Sequence, residues 1–312
     1  MPKYRKALPQ LSGDVFLTDG GLETTLIFHD GLELPEFAAF VLLESTTGRE
    51  ALLRYFRHYA ALARERRVGF VLESPTWRAS SAWGAKLGYA PDALARLNRE
   101  AIELLSRVRD EYETERSPMV ISGCMGPRGD GYRADEKMSI QEAQDYHADQ
   151  IETFTDTEAD MVSAFTVPYV EEGIGFVRAA TAAQIPTVVS FTVETDGCLP
   201  SGQTLGDAIE QLDDATGGAT AYFMINCAHP THFADALPVD APWLQRLRGV
   251  RANASRMSHA ELDEAEELDD GNPVQLGGES RDLRARLTHL NILGGCCGTD
   301  HRHIEAICDQ CL

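Results

Sequence analysis

Short apolar runs rich in β-branched residues recur along the chain, and amphipathic stretches fill the intervals between them. The runs are Val15–Thr18, Phe70–Leu72, Met119–Ser122, Met161–Phe165, Thr187–Phe191, Tyr222–Asn226, Gly249–Ala252 and Asn291–Leu293. They are short and apolar on both faces, which predicts fully buried parallel strands rather than half-exposed hairpins. Between them, Gly48–Arg67 carries Leu52, Leu53, Phe56, Tyr59, Ala60 and Ala63 close to a 3.6-residue period, the pattern of a helix with one buried face. Pro91–Glu115, Ser139–Glu158, Tyr169–Gln184, Thr204–Thr216 and Glu279–Leu287 also read as helices. Pro91 suits a first helical turn, and Thr204 with Asp207 forms a start signal.

Strand–helix alternation repeated in this way predicts an α/β fold, a (β/α)8 TIM barrel. Such barrels take about 250 residues, so a single domain over residues 1–312 accounts for the whole chain. A doubly wound open sheet is the architectural rival. No internal repeat or linker interrupts the pattern. The acidic run Glu261–Asp270 reads as a solvated helix or excursion loop.

Composition narrows the function classes. Hydrophobic residues make up 43% and charged residues 25% of the chain, as in folded globular proteins. Lys and Arg number 28 against 49 Asp and Glu, a formal net charge of −21. A surface of that sign repels nucleic acid and anionic membranes, both of which need cationic partners. Neither is expected as a partner, whereas homo-oligomerisation is left open. The opening MPKYRKALPQLSG lacks the apolar core of a signal peptide, and no apolar run reaches the roughly 18 residues of a membrane span. The expected compartment is the reducing cytoplasm. There, the seven cysteines read more readily as metal ligands or reactive groups than as disulfides.

The densest chemistry lies in Gly294-Gly295-Cys296-Cys297-Gly298-Thr299, directly after the last strand. In a barrel this is the C-terminal strand end, where active sites form. The flanking glycines allow turns that aim both thiols at one centre. Cys227, in Asn226-Cys227-Ala228-His229-Pro230, stands at the end of the sixth strand. Three thiolates from two strand ends suit a soft or borderline cation, zinc by default, and leave one coordination position open. His229 and His232 are alternative fourth ligands, although Pro230 disturbs their presentation. His301 and His303 read as the start of the last helix, Cys308 and Cys311 as an incidental pair, and Cys124 and Cys198 as isolated thiols. Asp19-Gly20-Gly21 at the first strand end sets a carboxylate beside open backbone amides, a turn able to take a zwitterion. The glycine-rich Gly123–Gly131 lacks the lysine and spacing of a phosphate loop.

Together these segments resemble the homocysteine S-methyltransferase family. The resemblance runs in order along nearly the whole chain. It comprises Asp19-Gly20-Gly21-Leu22-Glu23, Leu34–Phe40, Gly126-Pro127, Ser190-Phe191-Thr192, Ser201–Leu205, Asn226-Cys227 and Gly294–Thr299. It implies a zinc-dependent barrel that moves a methyl group from a donor to the sulfur of homocysteine. The donor would be S-methylmethionine, S-adenosylmethionine or betaine. Cys227, Cys296 and Cys297 would hold Zn2+, and Asp19 and Gly20 would contact the amino-acid end of the acceptor. Thr166 and Asn226 fall at motif positions beside the substrate. Phe165 departs from the pattern, because the family usually carries there a Glu that holds the substrate ammonium. Glu73 and Glu194 are the acids available to replace it. The other reading of Phe165 is an acceptor that is a different small thiol. A protein retaining zinc and a thiol without turnover is a further alternative. Trp77, Trp83, Tyr132 and Phe165 are the aromatic faces expected to favour a cationic donor.

Overall fold

The computed structural model describes every residue of the chain except Val239 and Glu266. Its strands are β1 (Phe16–Leu17), β2 (Gly69–Glu73), β3 (Met119–Met125), β4 (Met161–Val167), β5 (Thr187–Phe191), β6 (Tyr222–Ala228), β7 (Leu247–Ala252) and β8 (Ile292–Gly295). All neighbours pair in parallel, and β1 closes the circle by pairing with both β2 and β8. Closure excludes the open-sheet rival and establishes the (β/α)8 barrel. Nearly every strand residue is buried, because side chains alternate between the barrel interior and the shell of helices.

Two apolar layers follow from that alternation. The inner one joins Phe16, Val71, Val120, Met161, Val188, Tyr222, Met224 and Ile292, with Leu8 packed against it. The outer one lies between strands and helices and includes Leu72, Ile121, Val162, Val189 and Leu293. The N-terminal segment closes the barrel floor. Gln10 Nε2 donates to Tyr222 Oη at 3.3 Å, and Tyr4 N donates to the buried carboxylate of Asp160 at 2.6 Å. Asp160 also accepts from Ile121 N at 2.9 Å and from Arg109 Nη1 at 3.1 Å.

The helices begin where capping chemistry allows. Ser45 accepts from Gly48 N at the start of Thr46–Arg66, and Ser139 with Glu142 forms a reciprocal cap for Ile140–Thr155. Pro91 opens Pro91–Tyr112 and Thr204 caps Leu205–Thr216, as their sequences predict. The helix expected over Glu279–Leu287 begins earlier, at Pro273, capped by Asn272. Gly277 and Gly278 disguise that first half. A Cβ on Gly277 would stand 2.6 Å from the Ala306 carbonyl oxygen, so the glycine lets this helix approach the last one, His301–Cys311. The acidic run is only partly a solvated excursion. Its start lies in the short helix His259–Glu264, and Leu262 of that helix together with Glu267, Leu268 and Asp269 beyond it lines the central cavity. Glu266 within that run lies outside the described residues. No helix of the described residues is long and apolar enough to cross a membrane.

Candidate active site

A cavity of about 370 Å³ opens at the C-terminal ends of the strands. It takes in Asp19, Gly20, Glu73, Phe165, Thr166, Asn226, Cys227, Cys296 and Cys297, whereas Glu194, His229, His232 and Trp83, also singled out from the sequence, are not among its lining residues.

The three cysteines converge as expected, their sulfurs all within 4.8 Å of one another. Backbone irregularities bring them there. Cys227 has φ of 54°, an uncommon left-handed conformation for a residue with a Cβ, and the β6–β7 register slips between Asn226 and Ala228. His259 steadies this turn: its Nε2 lies 2.6 Å from the Cys227 carbonyl oxygen and its Nδ1 lies 3.1 Å from Glu194 Oε1. On the opposite side, Gly298 turns at φ of 78°. Gly21 is indispensable for close approach, since a Cβ there would stand 2.6 Å from the Cys296 carbonyl oxygen.

Cys227 and Cys296 stand paired as a disulfide, with Cα atoms 5.4 Å apart. Cys297 is free and lies 3.9 Å, sulfur to sulfur, from Cys227. The sequence predicts three thiols aimed at one centre, and the structure aims them so but joins two. In the reduced protein the set fits a thiophilic metal. Zn–S bonds of about 2.3 Å in tetrahedral geometry put neighbouring sulfurs about 3.8 Å apart, close to the 3.9 Å between Cys227 and Cys297. Cys297 is exposed, yet partial desolvation by the surrounding protein raises its thiol pKa, opposed chiefly by a hydrogen bond from Tyr132, whose Oη lies 3.7 Å from the sulfur. Neither histidine near Cys227 joins the cluster. His229 Nδ1 lies 2.8 Å from Thr231 Oγ1, and His232 Nε2 lies 2.8 Å from the Arg256 carbonyl oxygen. Burial drives the His229 pKa down to about 4. Cys124 is buried in the inner core, while Cys308 and Cys311 remain unpaired on the last helix.

A polar pole lies beside the sulfurs. Asp19, 3% exposed, meets Arg251 Nη2 at 2.8 Å and accepts from Tyr55 Oη at 2.9 Å. Burial raises its pKa, against the pull of Arg251 and Tyr55. Arg251 also donates to the carbonyls of Gly295 and Gly20, at 3.0 and 3.1 Å. Glu73 accepts from Ser163 Oγ at 3.2 Å through Oε1, but its buried Oε2 has no partner. Burial pushes its pKa up to about 7.

Phe165 lines the chamber, and the Arg251 guanidinium lies 5.2 Å from its ring centroid. The next residue, Thr166, adopts φ of 60° at a β4–β5 register shift. Asn226 holds that bulge. Its Oδ1 accepts from Thr166 N at 2.9 Å and Ser190 Oγ at 2.7 Å, and its Nδ2 donates to Thr166 Oγ1 at 2.8 Å. The Asn226 amide thus spends its hydrogen bonds on Ser190 and on the Thr166 turn. Glu194 is likewise committed, to His259, and is absent from the cavity lining.

Several cavity residues escape a sequence reading. Arg251 is the penultimate residue of β7 and His259 follows the strand, so their places at the mouth follow only once the strand order is known. Phe28 and Phe37 form an exposed apolar lip. The aromatic faces expected for a cationic donor are already engaged. Arg78 lies over Trp77 and Trp83, at 3.9 and 3.6 Å from their rings, and Tyr132 stacks on His259 with centroids 4.2 Å apart.

A parallel barrel with three cysteine sulfurs at its C-terminal mouth, beside a polar pole and an apolar lip, defines a barrel enzyme of thiol or metal–thiolate chemistry. Residues 16–311 match the homocysteine S-methyltransferase family model. The chain belongs to that family and is a methyltransferase. It is 25% identical over 321 residues to the homocysteine S-methyltransferase of Escherichia coli (strain K12), covering 94% of each chain. Its fold is similar to crystal structures of the Escherichia coli homocysteine methyltransferase MmuM. The oxidised form superposes with a TM-score of 0.74 at 19% identity, covering 98% of this chain and 99% of the other. The metallated form gives 0.72 at 20% identity, covering 96% and 98%.

Proposed function

We propose that this protein transfers a methyl group from a sulfonium or quaternary ammonium donor to the thiol of homocysteine, giving methionine, with Zn2+ held by Cys227, Cys296 and Cys297. The observation that carries the reading is the convergence of three sulfurs from two strand ends at one wall of a chamber large enough for two small substrates. Bound there, zinc would supply the acceptor sulfur as a thiolate at neutral pH, where a free thiol of pKa about 8.5 is mostly protonated. The reducing cytoplasm keeps the cysteines available for the metal.

The chain's own residues have the task of orientation. The acceptor's amino-acid end fits the pole made by Asp19, Gly20 and Glu73. Glu73 Oε2 is the unpartnered acceptor for an ammonium, the task left open by Phe165. Thr166, held by Asn226, fixes the wall beside Cys227. The acidic lining, including Asp130, Asp263, Glu267 and Asp269, favours a cationic donor over an anionic one. Phe28 and Phe37 give the mouth an apolar rim, and in the in-line displacement the donor leaves as a neutral sulfide or amine.

Phe165 also favours a second reading, in which the acceptor is a different small thiol lacking the ammonium. The test is mass spectrometry of products from reduced, zinc-loaded protein. Homocysteine is offered with S-methylmethionine, S-adenosylmethionine and betaine in turn, beside a panel of other thiols. Methionine with one donor supports the first reading; methylation confined to another thiol replaces it with the second.

A further inference from the structure

Arg78 is a cation that the scheme above leaves unused. It stands between β2 and the helix Ser81–Lys86, is 8% exposed, and lines the same chamber. Both faces of its guanidinium are occupied, by Trp77 and by Trp83. Those rings are themselves pinned. Trp77 Nε1 donates to the Phe165 carbonyl at 3.3 Å, and Trp83 Nε1 donates to the Pro127 carbonyl at 3.2 Å. The guanidinium plane is therefore fixed, and only its hydrogen-bonding edge is free to meet a ligand. Nη1 donates to the Gly129 carbonyl at 3.1 Å, while buried Nε has no partner. Among the described residues no carboxylate lies within ion-pair distance of Arg78. Arg251, the other guanidinium of the chamber, is consumed by Asp19 and two carbonyls.

Asp130, Glu23 and Glu36 act on Arg78 only from beyond ion-pair distance; a buried cation without a direct counter-ion is costly to maintain, and a ligand anion would offset that cost. Burial lowers the Arg78 pKa only to about 10, so it is charged at neutral pH. A planar edge presenting N–H groups matches a carboxylate.

We propose that Arg78 receives the carboxylate of the methyl donor and is the residue that selects donors by that group, independently of the methylated onium centre. The inference rests on the methyl-transfer reading above, in which Asp19, Gly20 and Glu73 already serve the acceptor. It divides the chamber by charge. The acceptor's polar end sits at the Asp19 pole, the donor's carboxylate at the Trp77–Arg78–Trp83 stack, and the methyl group between them.

The test compares an acid with its amide. Calorimetric binding and steady-state kinetics are measured with S-methylmethionine and S-methylmethionine amide, and with betaine and its amide, on the full chain and on Arg78→Gln and Arg78→Lys. A charge-assisted pair at a buried site predicts that the wild type binds at least one acid about 10- to 100-fold more tightly than its amide. The preference falls toward unity in Arg78→Gln, and Arg78→Lys, which keeps the charge but not the fork, recovers part of it. The wild-type comparison needs no variant, so misfolding of a variant cannot hide the answer. Equal binding of acids and amides by the wild type, or an unchanged preference in folded Arg78→Gln, overturns the proposal. A preference lost instead between homocysteine and homocysteinamide also overturns it, by assigning Arg78 to the acceptor. An Arg78-dependent preference without any methylated product would sink the methyl-transfer reading and leave carboxylate binding standing. Product formation without the preference would sink the Arg78 proposal alone.

Discussion

Glu73 offers the sharpest handle on how the acceptor is held. Its Oε2 is buried and unpartnered, and its pKa is pushed up to about 7 by burial, against the opposing pull of Arg251. Raised from the ordinary glutamate value of 4.5, the carboxyl is largely neutral at pH 6 and largely ionised at pH 8. One ionisation centred near 7 changes the carboxylate fraction from about one-tenth to about nine-tenths over that interval. If the carboxylate receives the acceptor's ammonium, kcat/KM for homocysteine rises about tenfold from pH 6 to pH 8. Glu73→Gln keeps the shape and removes the charge. At pH 8 it should lower kcat/KM by about 10- to 100-fold, the scale of a lost hydrogen bond to a charged group. It should also flatten that limb of the profile. The assay is initial-rate methionine formation across pH 5.5–9 at saturating donor, run in parallel with 4-mercaptobutyrate, which lacks the amino group. The wild type acting on 4-mercaptobutyrate should resemble Glu73→Gln acting on homocysteine. An unchanged pH profile in a folded Glu73→Gln, or the same Glu73 dependence for both acceptors, would refute the reasoning.

Other perturbations address the scaffold of the site. Cys296→Ser should abolish stoichiometric zinc binding, read by elemental analysis, together with methyl transfer. Gly21→Ala places a Cβ against the Cys296 carbonyl and should weaken zinc retention against a chelator while the circular dichroism of the barrel persists. Asn226→Ala frees the Thr166 turn and leaves Thr166 N and Ser190 Oγ without their acceptor. It should cost about 1–3 kcal/mol of stability by chemical denaturation and lower kcat/KM with zinc content intact. Asp160→Asn breaks a buried pair with Arg109 on the barrel floor, far from the sulfurs in the fold. The loss should lie near the lower end of about 3–5 kcal/mol, because Arg109 keeps Glu158 at 3.0 Å, and KM for homocysteine should not change.

Strands were the most legible elements because burial on both faces leaves uninterrupted apolar runs. Thr187–Phe191 coincides with β5, and the others differ at their ends. The extension of β4 and β6 beyond the expected limits carries the chemistry, yet Thr166 and Cys227 adopt left-handed backbone that nothing in Ala-Phe-Thr or Asn-Cys-Ala announces. The convergence of Cys227 with Cys296 and Cys297 was legible only through the barrel hypothesis, since 69 positions separate Cys227 from Cys296. The roles of Arg78, Arg251 and His259 depend on which loops face one another, a matter of long-range geometry. Of the aromatic faces expected to favour a cationic donor, Trp77, Trp83 and Phe165 lie against the protein's own guanidinium groups. Asn226, read as a substrate contact, spends its hydrogen bonds on the Thr166 turn.

The central claim is that the three cysteine sulfurs hold a metal that in turn receives the acceptor's sulfur. X-ray absorption at the zinc edge of the reduced, loaded protein tests this directly, before and after homocysteine is added. The account predicts a metal held by three sulfurs and one lighter atom, with the lighter atom replaced by a fourth sulfur on addition of homocysteine. A shell that already contains four protein ligands, or one unchanged by homocysteine, would contradict it.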